Sequence, residues 1–195
     1  MGADDERIVL LDERGRAVGT APKLASHHDR TPLHLAFSCY LFDREGNFLL
    51  TRRALTKKAF PGVWTNSFCG HPLPGEVLRH AVGRRLAAEL GTRMLSAEVV
   101  LPAVRYRATM DGIAENEIGP VLRVRARMPL RPDPAEVDRL RWRPWPQFVR
   151  SIADGTQPIS PWSRITVEKL AALGPDPWAW PIADPTTLPP ALRQR

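Results

Sequence analysis

Cys69 and His71 stand two residues apart in the run TNSFCGHP, and Glu115 and Glu117 stand two apart in ENE. In an extended chain, residues i and i+2 project from one face, so each pair points its two groups the same way. Two neighbouring carboxylates repel unless a cation or a shared proton lies between them. His27, His34 and His71, taken with Glu115 and Glu117, make an N3O2 donor set suited to zinc, manganese or iron. Spacing alone supports a candidate metal site and no more. Any one such histidine is more often a core or surface residue, and Glu115 and Glu117 fit a solvated strand face equally well. Cys69 also reads two ways: a small buried hydrophobe between Phe68 and Gly70, or a thiol that gives and takes a proton within a site. Cys39, in an apolar strand, reads as core.

Lys23, Arg53 and Lys57 are candidate contacts for an anionic substrate such as a diphosphate. Arg53 ends a strand and Lys57 follows in the next loop, so both reach one mouth of a sheet. Any one lysine is more often an exposed solubilising charge. Arg85 and Glu89 lie one helical turn apart and can pair on a surface; alternatively, Glu89 binds a divalent ion that bridges diphosphate oxygens. Trp162 is either core or an aromatic face set against a developing cation.

The elements that must carry these residues follow from periodicity. Residues 7–12 read as a strand. His34–Phe42 and Phe48–Arg53 read as two strands joined in a hairpin by the turn 43–47. Val77–Leu90 has apolar residues at helical spacing, and Gly91 caps its C-terminus. Val99–Thr109 and Ala114–Arg127 read as strands. In the second, Leu122, Val124 and Ala126 alternate with Arg123, Arg125 and Arg127, the pattern of one buried and one wet face. Glu136–Arg143 reads as a strand. Pro146–Ala153 and Pro161–Leu173 read as helices with proline in the first turn. Residues 174–195 hold six prolines and two tryptophans, and read as a peripheral tail ordered where Trp178 and Trp180 dock. The expectation is an α/β (α+β) chain with a central mixed sheet flanked by helices. One domain spans 1–173 and a Pro-rich tail spans 174–195.

The 195 residues suffice for a sizeable core, and 43% hydrophobic with 25% charged residues is ordinary for a globular protein. No window is apolar enough to span a membrane. The acidic N-terminus does not read as a secretory leader. Two cysteines are too few for a disulfide framework, and free thiols suit a reducing cytoplasm. A net charge of +7 raises nucleic-acid binding. The basic residues are dispersed, however, and an anionic small molecule accounts for a basic pocket equally well. The expectation is no nucleic acid, no membrane, and a monomer or weak dimer.

The run from Gly70 to Gly91 keeps Gly70, Glu76, Arg84, Glu89 and Gly91 of the pattern G-x5-E-x7-R-E-U-x-E-E-x-G-U, where U is a bulky apolar residue. It therefore resembles a Nudix box. Arg85 and Ala88 stand where a Nudix hydrolase carries glutamates that hold metal and activate water. Further words occur in order: LHLAFSCYLF, TRRALTKKAFPGVWTNSFCGHP, RYRAT, ENE and SPW. Together they closely resemble the type 1 isopentenyl-diphosphate delta-isomerase family, from about residue 7 to about 171. That resemblance implies a Nudix-like fold and interconversion of isopentenyl and dimethylallyl diphosphates by a 1,3-allylic proton shift in isoprenoid biosynthesis. It implies Cys69 and Glu117 as catalytic residues, with Tyr106 assisting the carboxylate. It implies Lys23, Arg53, Lys57 and Trp162 as substrate contacts, and His27, His34, His71, Glu115 and Glu117 as ligands of Mn2+ or Zn2+. It further implies Glu89 as the residue that helps hold a diphosphate-bridging Mg2+.

Overall fold

The computed structural model describes residues 6–26 and 28–193. Two strands, β1 (Arg7–Leu11) and β2 (Ala17–Pro22), form a hairpin that runs into a four-residue helix, α1 (Lys23–Ser26). Next come β3 (His34–Leu35), β4 (Phe37–Leu41), β5 (Asn47–Arg53), β6 (Trp64–Thr65) and β7 (Phe68–Gly70). Helix α2 (Leu78–Leu90) leads into the long strands β8 (Met94–Met110) and β9 (Ile113–Ala126). Strand β10 (Val137–Pro144) and helices α3 (Trp145–Ala153) and α4 (Pro161–Ala171) complete the regular elements before the tail.

The main sheet runs β2-β1-β3-β9-β4-β7, with β8 paired along the length of β9 on the edge opposite β3 and β4. β9 pairs in parallel with β3 and β4 and antiparallel with β8, so the sheet is mixed. β4 is buried along its whole length, as a strand covered on both faces must be. Phe37, Cys39 and Leu41 join the apolar face of α2. Tyr40 and Phe42 on the other face join Phe48, Trp145 and Phe148 under α3 and α4.

The expected hairpin between β4 and β5 does not form. The turn is present, but only Phe42 and Phe48 bridge. β5 instead pairs with β10 and β6 in a separate three-stranded sheet. The reason is competition for edges: both edges of β4 are taken by β9 and β7. A turn signal fixes a chain reversal without fixing which strands then pair.

The wet arginine face on β9 is also corrected. Arg123 is buried, donates to Glu98 at 3.0 Å, and lies with Arg125 over the Trp178 ring. The tail supplies that cover and is ordered more widely than at its two tryptophans. Trp180 is part of the aromatic core. The tail makes three short 3-10 turns, one before Trp180 and two after it, and Ala191 and Leu192 pack on the apolar cluster of β1 and β3. Proline forbids long helices and ladders but suits the first position of a 3-10 turn, and each of the three turns begins with one.

α2 ends at Gly91, whose φ of 59° is left-handed and whose N–H donates to Ala87 O at 3.1 Å. A side chain there would also collide with the carbonyl of Arg131. Two box residues at the other end of the motif are structural. The Arg84 guanidinium donates to both oxygens of Glu76 and to the His71 carbonyl, at 2.8–3.0 Å, and so buckles the 71–76 loop onto α2.

Candidate active site

Strand register builds the centre of the site. His34 on β3 lies directly opposite Glu117 on β9, and Glu117 lies directly opposite Tyr106 on β8. Directly paired residues share a face of the sheet, so one row across three strands carries an imidazole, a carboxylate and a phenol. His71, just beyond β7, joins from the side. His71 Nε2 lies 2.9 Å from Glu117 Oε1 and 3.2 Å from His34 Nε2, and His34 Nε2 lies 3.3 Å from the same oxygen. Tyr106 Oη donates to the second oxygen, Oε2.

The three atoms form a small triangle with edges of 2.9–3.3 Å. Metal–donor bonds of about 2.1 Å place neighbouring donors roughly 3.0 Å apart on an octahedral ion and about 3.4 Å apart on a tetrahedral one. His34 Nδ1 is 2.9 Å from the Pro32 carbonyl, an acceptor that fixes the proton on Nδ1 and turns the Nε2 lone pair toward Glu117. Burial lowers the His71 pKa to about 3, keeping that ring neutral at pH 7. Converging lone pairs and a carboxylate are what a divalent cation requires, so His34, His71 and Glu117 fit a metal ion. Glu115, two residues from Glu117, lines the same cavity. His27 lies outside the described residues.

Burial alone would raise the Glu117 pKa, yet the His34 and His71 rings against its carboxylate hold it well below the usual carboxylate range. The group is a carboxylate at neutral pH. Burial and the Glu117 charge push the Tyr106 phenol well up, so it stays protonated and donates. Burial also pushes the Cys69 thiol up to about 12; the Glu89 charge adds to this and Arg53 opposes it. Cys69 is therefore a thiol at pH 7. Cys69 on β7 and Glu117 on β9 are separated by β4, and both line one cavity.

Cys69, Glu117 and Tyr106 open into one cavity of about 410 Å³. Lys23, Arg53, Lys57, His71, Glu89, Glu115 and Trp162 line it too. Fully buried His34 sits behind the wall. The structure thus brings every expected site residue that it describes to a single place. Trp162 enters at the N-terminus of α4, where Ser160 Oγ caps the Ser163 N–H. Its Nε1 donates to Asn66 Oδ1 at 3.2 Å, its ring meets Phe60 edge-on at 4.9 Å, and Tyr106 stacks on it at 6.2 Å. The anchored N–H fixes which way the indole faces.

The mouth differs from a simply basic pocket. Lys23, Arg53, Lys57, Lys58 and Arg85 are matched in number by Glu6, Glu89, Glu115, Glu117 and Glu136. Lys23 pairs with Glu6 at 2.6 Å, Lys57 with Glu136, and Arg85 with Glu89 at 2.7 Å. The Arg85–Glu89 pair is buried in the cavity wall rather than on an open surface. A highly charged anion entering such a balanced mouth needs added positive charge, which a divalent ion supplies. Arg53 has a second duty: its guanidinium donates to the carbonyls of Ala59 and Phe60 at 2.8–3.2 Å and closes the 54–62 loop, where Phe60 adopts a φ of 51°.

Sequence reasoning missed Asn66, Glu6 and Glu136. Asn66 is fully buried and ties Trp162 to the Phe68 carbonyl beside Cys69. Its only sequence signal was its place in TNSFCGHP. Glu6 and Glu136 gave no signal, because each acts through partners that are distant in the chain.

Comparison with known proteins decides between chemistries that share this fold. A NUDIX domain matches residues 32–163. Over 187 residues the chain is 47% identical to an isopentenyl-diphosphate Delta-isomerase of Saccharopolyspora erythraea, covering 95% of this chain and 96% of that protein. The chain belongs to the isopentenyl-diphosphate Delta-isomerase family. A relative of the same name from Mycolicibacterium vanbaalenii is 52% identical over 170 residues, covering 87% of this chain and 93% of its own. The fold has broader kin. A crystal structure from Deinococcus radiodurans superposes with a TM-score of 0.66 at 19% identity, over 84% of this chain and 98% of that one. A MutT protein from Methanosarcina mazei Go1 gives 0.60 at 19% identity, over 72% of this chain and 94% of its own. The isomerase family therefore uses a Nudix frame in which this chain carries Arg85 and Ala88 at two of the box's glutamate positions.

Proposed function

We propose that this protein interconverts isopentenyl diphosphate and dimethylallyl diphosphate in isoprenoid biosynthesis, using Cys69 and Glu117 to move two protons. Membership of the isomerase family supports the reaction. The observation that carries the residue assignment is one cavity holding a protonated thiol and an ionised carboxylate across an intervening strand.

The reaction adds a proton to one terminal carbon of the allylic system and removes another from the far carbon. The middle carbon becomes tertiary and cationic in between. The thiol and the carboxylate are a donor and an acceptor at neutral pH, and they exchange protonation states in each turnover. The reverse direction uses the same two groups with roles swapped. Tyr106 holds Glu117 Oε2 and gives the proton returning between turnovers a path. Trp162 presents a fixed aromatic face, worth about 2 kcal/mol or more to a desolvated cation. Its burial and that of Glu117 keep bulk water from trapping the cation.

Lys23, Arg53 and Lys57 anchor the diphosphate at the mouth, remote from the reacting carbons, and supply positioning energy. Two divalent ions complete the reading: Mn2+ or Zn2+ held by His34, His71, Glu115, Glu117 and His27, and Mg2+ held through Glu89. When bound, they would supply positive charge that holds the Glu117 carboxylate in place and neutralises the diphosphate. Residues 1–173 act as one catalytic domain with the Pro-rich stretch 174–195 as its tail, of which residues 174–193 are described. The protein works in the cytoplasm as a monomer or weak dimer on a small molecule, without nucleic acid. Among the described residues no helix is long and apolar enough to cross a membrane.

The test is incubation with isopentenyl diphosphate and Mg2+, followed by product analysis. Dimethylallyl diphosphate without phosphate release is expected. Activity of Cys69→Ala and Glu117→Gln should fall by a factor on the order of 10²–10⁴. Phosphate release with no isomer would restore a hydrolase reading.

A further inference from the structure

Glu136 has no place in the chemistry above, yet it stands at the centre of the cavity's charge. Its Oε2 accepts from Lys57 Nζ, and its Oε1 lies 3.3 Å from Arg85 Nη2. One carboxylate thus engages two cations of the mouth through its two oxygens, as an anionic diphosphate would. The Arg85 nitrogen also donates to Glu89 Oε1 at 2.7 Å, so a single guanidinium is shared between two carboxylates. The side chain of Glu136 is only 24% exposed, and its neighbours hold its carboxyl below the usual range against the effect of burial.

The backbone around Glu136 is fixed on both sides. Its N–H donates to Asp133 O at 3.0 Å, its carbonyl accepts from Ala54 N–H at 2.9 Å, and Asp133 N–H donates to Glu89 O at 3.0 Å. Val137 next to it begins β10, paired with Arg53 on β5. These bonds tie Glu136 to the end of α2 and to the start of the basic 54–62 loop. The main chain cannot withdraw without breaking them, whereas a side-chain rotation takes the carboxylate out of the mouth at the cost of its ion pairs with Lys57 and Arg85.

We infer that Glu136 is a built-in competitor for the diphosphate: its carboxylate occupies Lys57 and Arg85 in the empty protein and must leave as an anionic diphosphate enters. This rests on the isomerase reading for the identity of the anion, and on the ion pairs alone for the competition. The consequence is an affinity set below what the cations alone would give. A cavity that keeps its cations paired when empty also binds weaker anions poorly, because each must displace the same carboxylate.

The experiment is calorimetric titration of inorganic pyrophosphate into the full-length protein at low ionic strength, with and without Mg2+, before and after Glu136→Gln. Removing the competing charge should tighten pyrophosphate binding by about tenfold in both conditions. Weaker or unchanged binding in the variant would show that Glu136 orients the cations or helps hold the ion, and would overturn the inference; so would failure of either form to bind pyrophosphate. If Glu136→Gln does not fold, as judged by circular dichroism, Glu136→Asp draws the carboxylate back by one methylene. It should tighten binding by roughly threefold, and an unchanged affinity would overturn the inference equally. Pyrophosphate carries no alkene, so loss of isomerase activity and loss of this effect are separate results.

Discussion

Replacing Gly119 with alanine should damage the fold and the metal site together. Gly119 sits where β9 passes from its β3 partner to its β4 partner, opposite Ala36. A Cβ built there lies 1.7 Å from the Ala36 carbonyl oxygen and 2.5 Å from its carbon, both of them backbone atoms. Ordinary contact requires about 3.5 Å, so the strands must part by roughly 1.8 Å. That breaks the Ala36 N–H to Ile118 O bond, now 3.1 Å. Overpacking costs about 1–3 kcal/mol, and a buried backbone bond left unmade costs about 1–3 kcal/mol more. The expected destabilisation is about 2–6 kcal/mol, a large share of the roughly 5–15 kcal/mol that holds a domain folded. His34 lies two residues before Ala36 and Glu117 two before Gly119, so the same parting pulls apart donors now 3.3 Å apart. Urea denaturation followed by circular dichroism reads the stability, and metal content after dialysis reads the site. A loss under about 1 kcal/mol with unchanged metal stoichiometry would refute the close approach and its coupling to the site.

Trp162→Leu keeps an apolar filler but removes the π face. The cation's loss of about 2 kcal/mol predicts a roughly 30-fold fall in kcat with KM little changed, and a steady-state assay showing kcat within threefold of the parent would remove Trp162 from cation stabilisation. Glu6 carries a pKa lowered to about 2: burial opposes the shift, and the Lys23 charge and hydrogen bond outweigh it. A depressed carboxyl stabilises the fold above its unfolded pKa of about 4.5 and loses that contribution as pH falls toward 2. Glu6→Gln should therefore cost about 1–2 kcal/mol at pH 7 after allowance for solvent screening. The gap from the parent should close between pH 4.5 and 2, and a gap independent of pH in denaturation curves would deny the linkage.

The elements with strong period were legible in the sequence. α2 carried its apolar stripe and its glycine stop, and β9 carried an alternation that marked it as a strand. Pairing was less legible. The 43–47 turn announced a reversal, but the longer partner of β5 is β10, nearly ninety residues away, information that no local window contains. The arginines of β9 looked solvated because their cover, Trp178, comes from the far end of the chain. Chemistry-bearing residues were legible where types were rare and words were short: Cys69 with His71, and Glu115 with Glu117. The row His34–Glu117–Tyr106 was not, since it exists only through register. Glu6, Asn66 and Glu136 are common residue types whose significance is their partners.

The central claim is that Cys69 and Glu117 shift protons on a bound allylic diphosphate. Isopentenyl diphosphate incubated with the protein and Mg2+ in deuterated water, followed by proton and deuterium NMR, tests it most directly. The account predicts dimethylallyl diphosphate carrying deuterium on the newly formed methyl group, with neither Cys69→Ala nor Glu117→Gln forming it at an appreciable rate. Dimethylallyl diphosphate free of deuterium from the first turnover onward, or formed at near-parental rate by either variant, would contradict it.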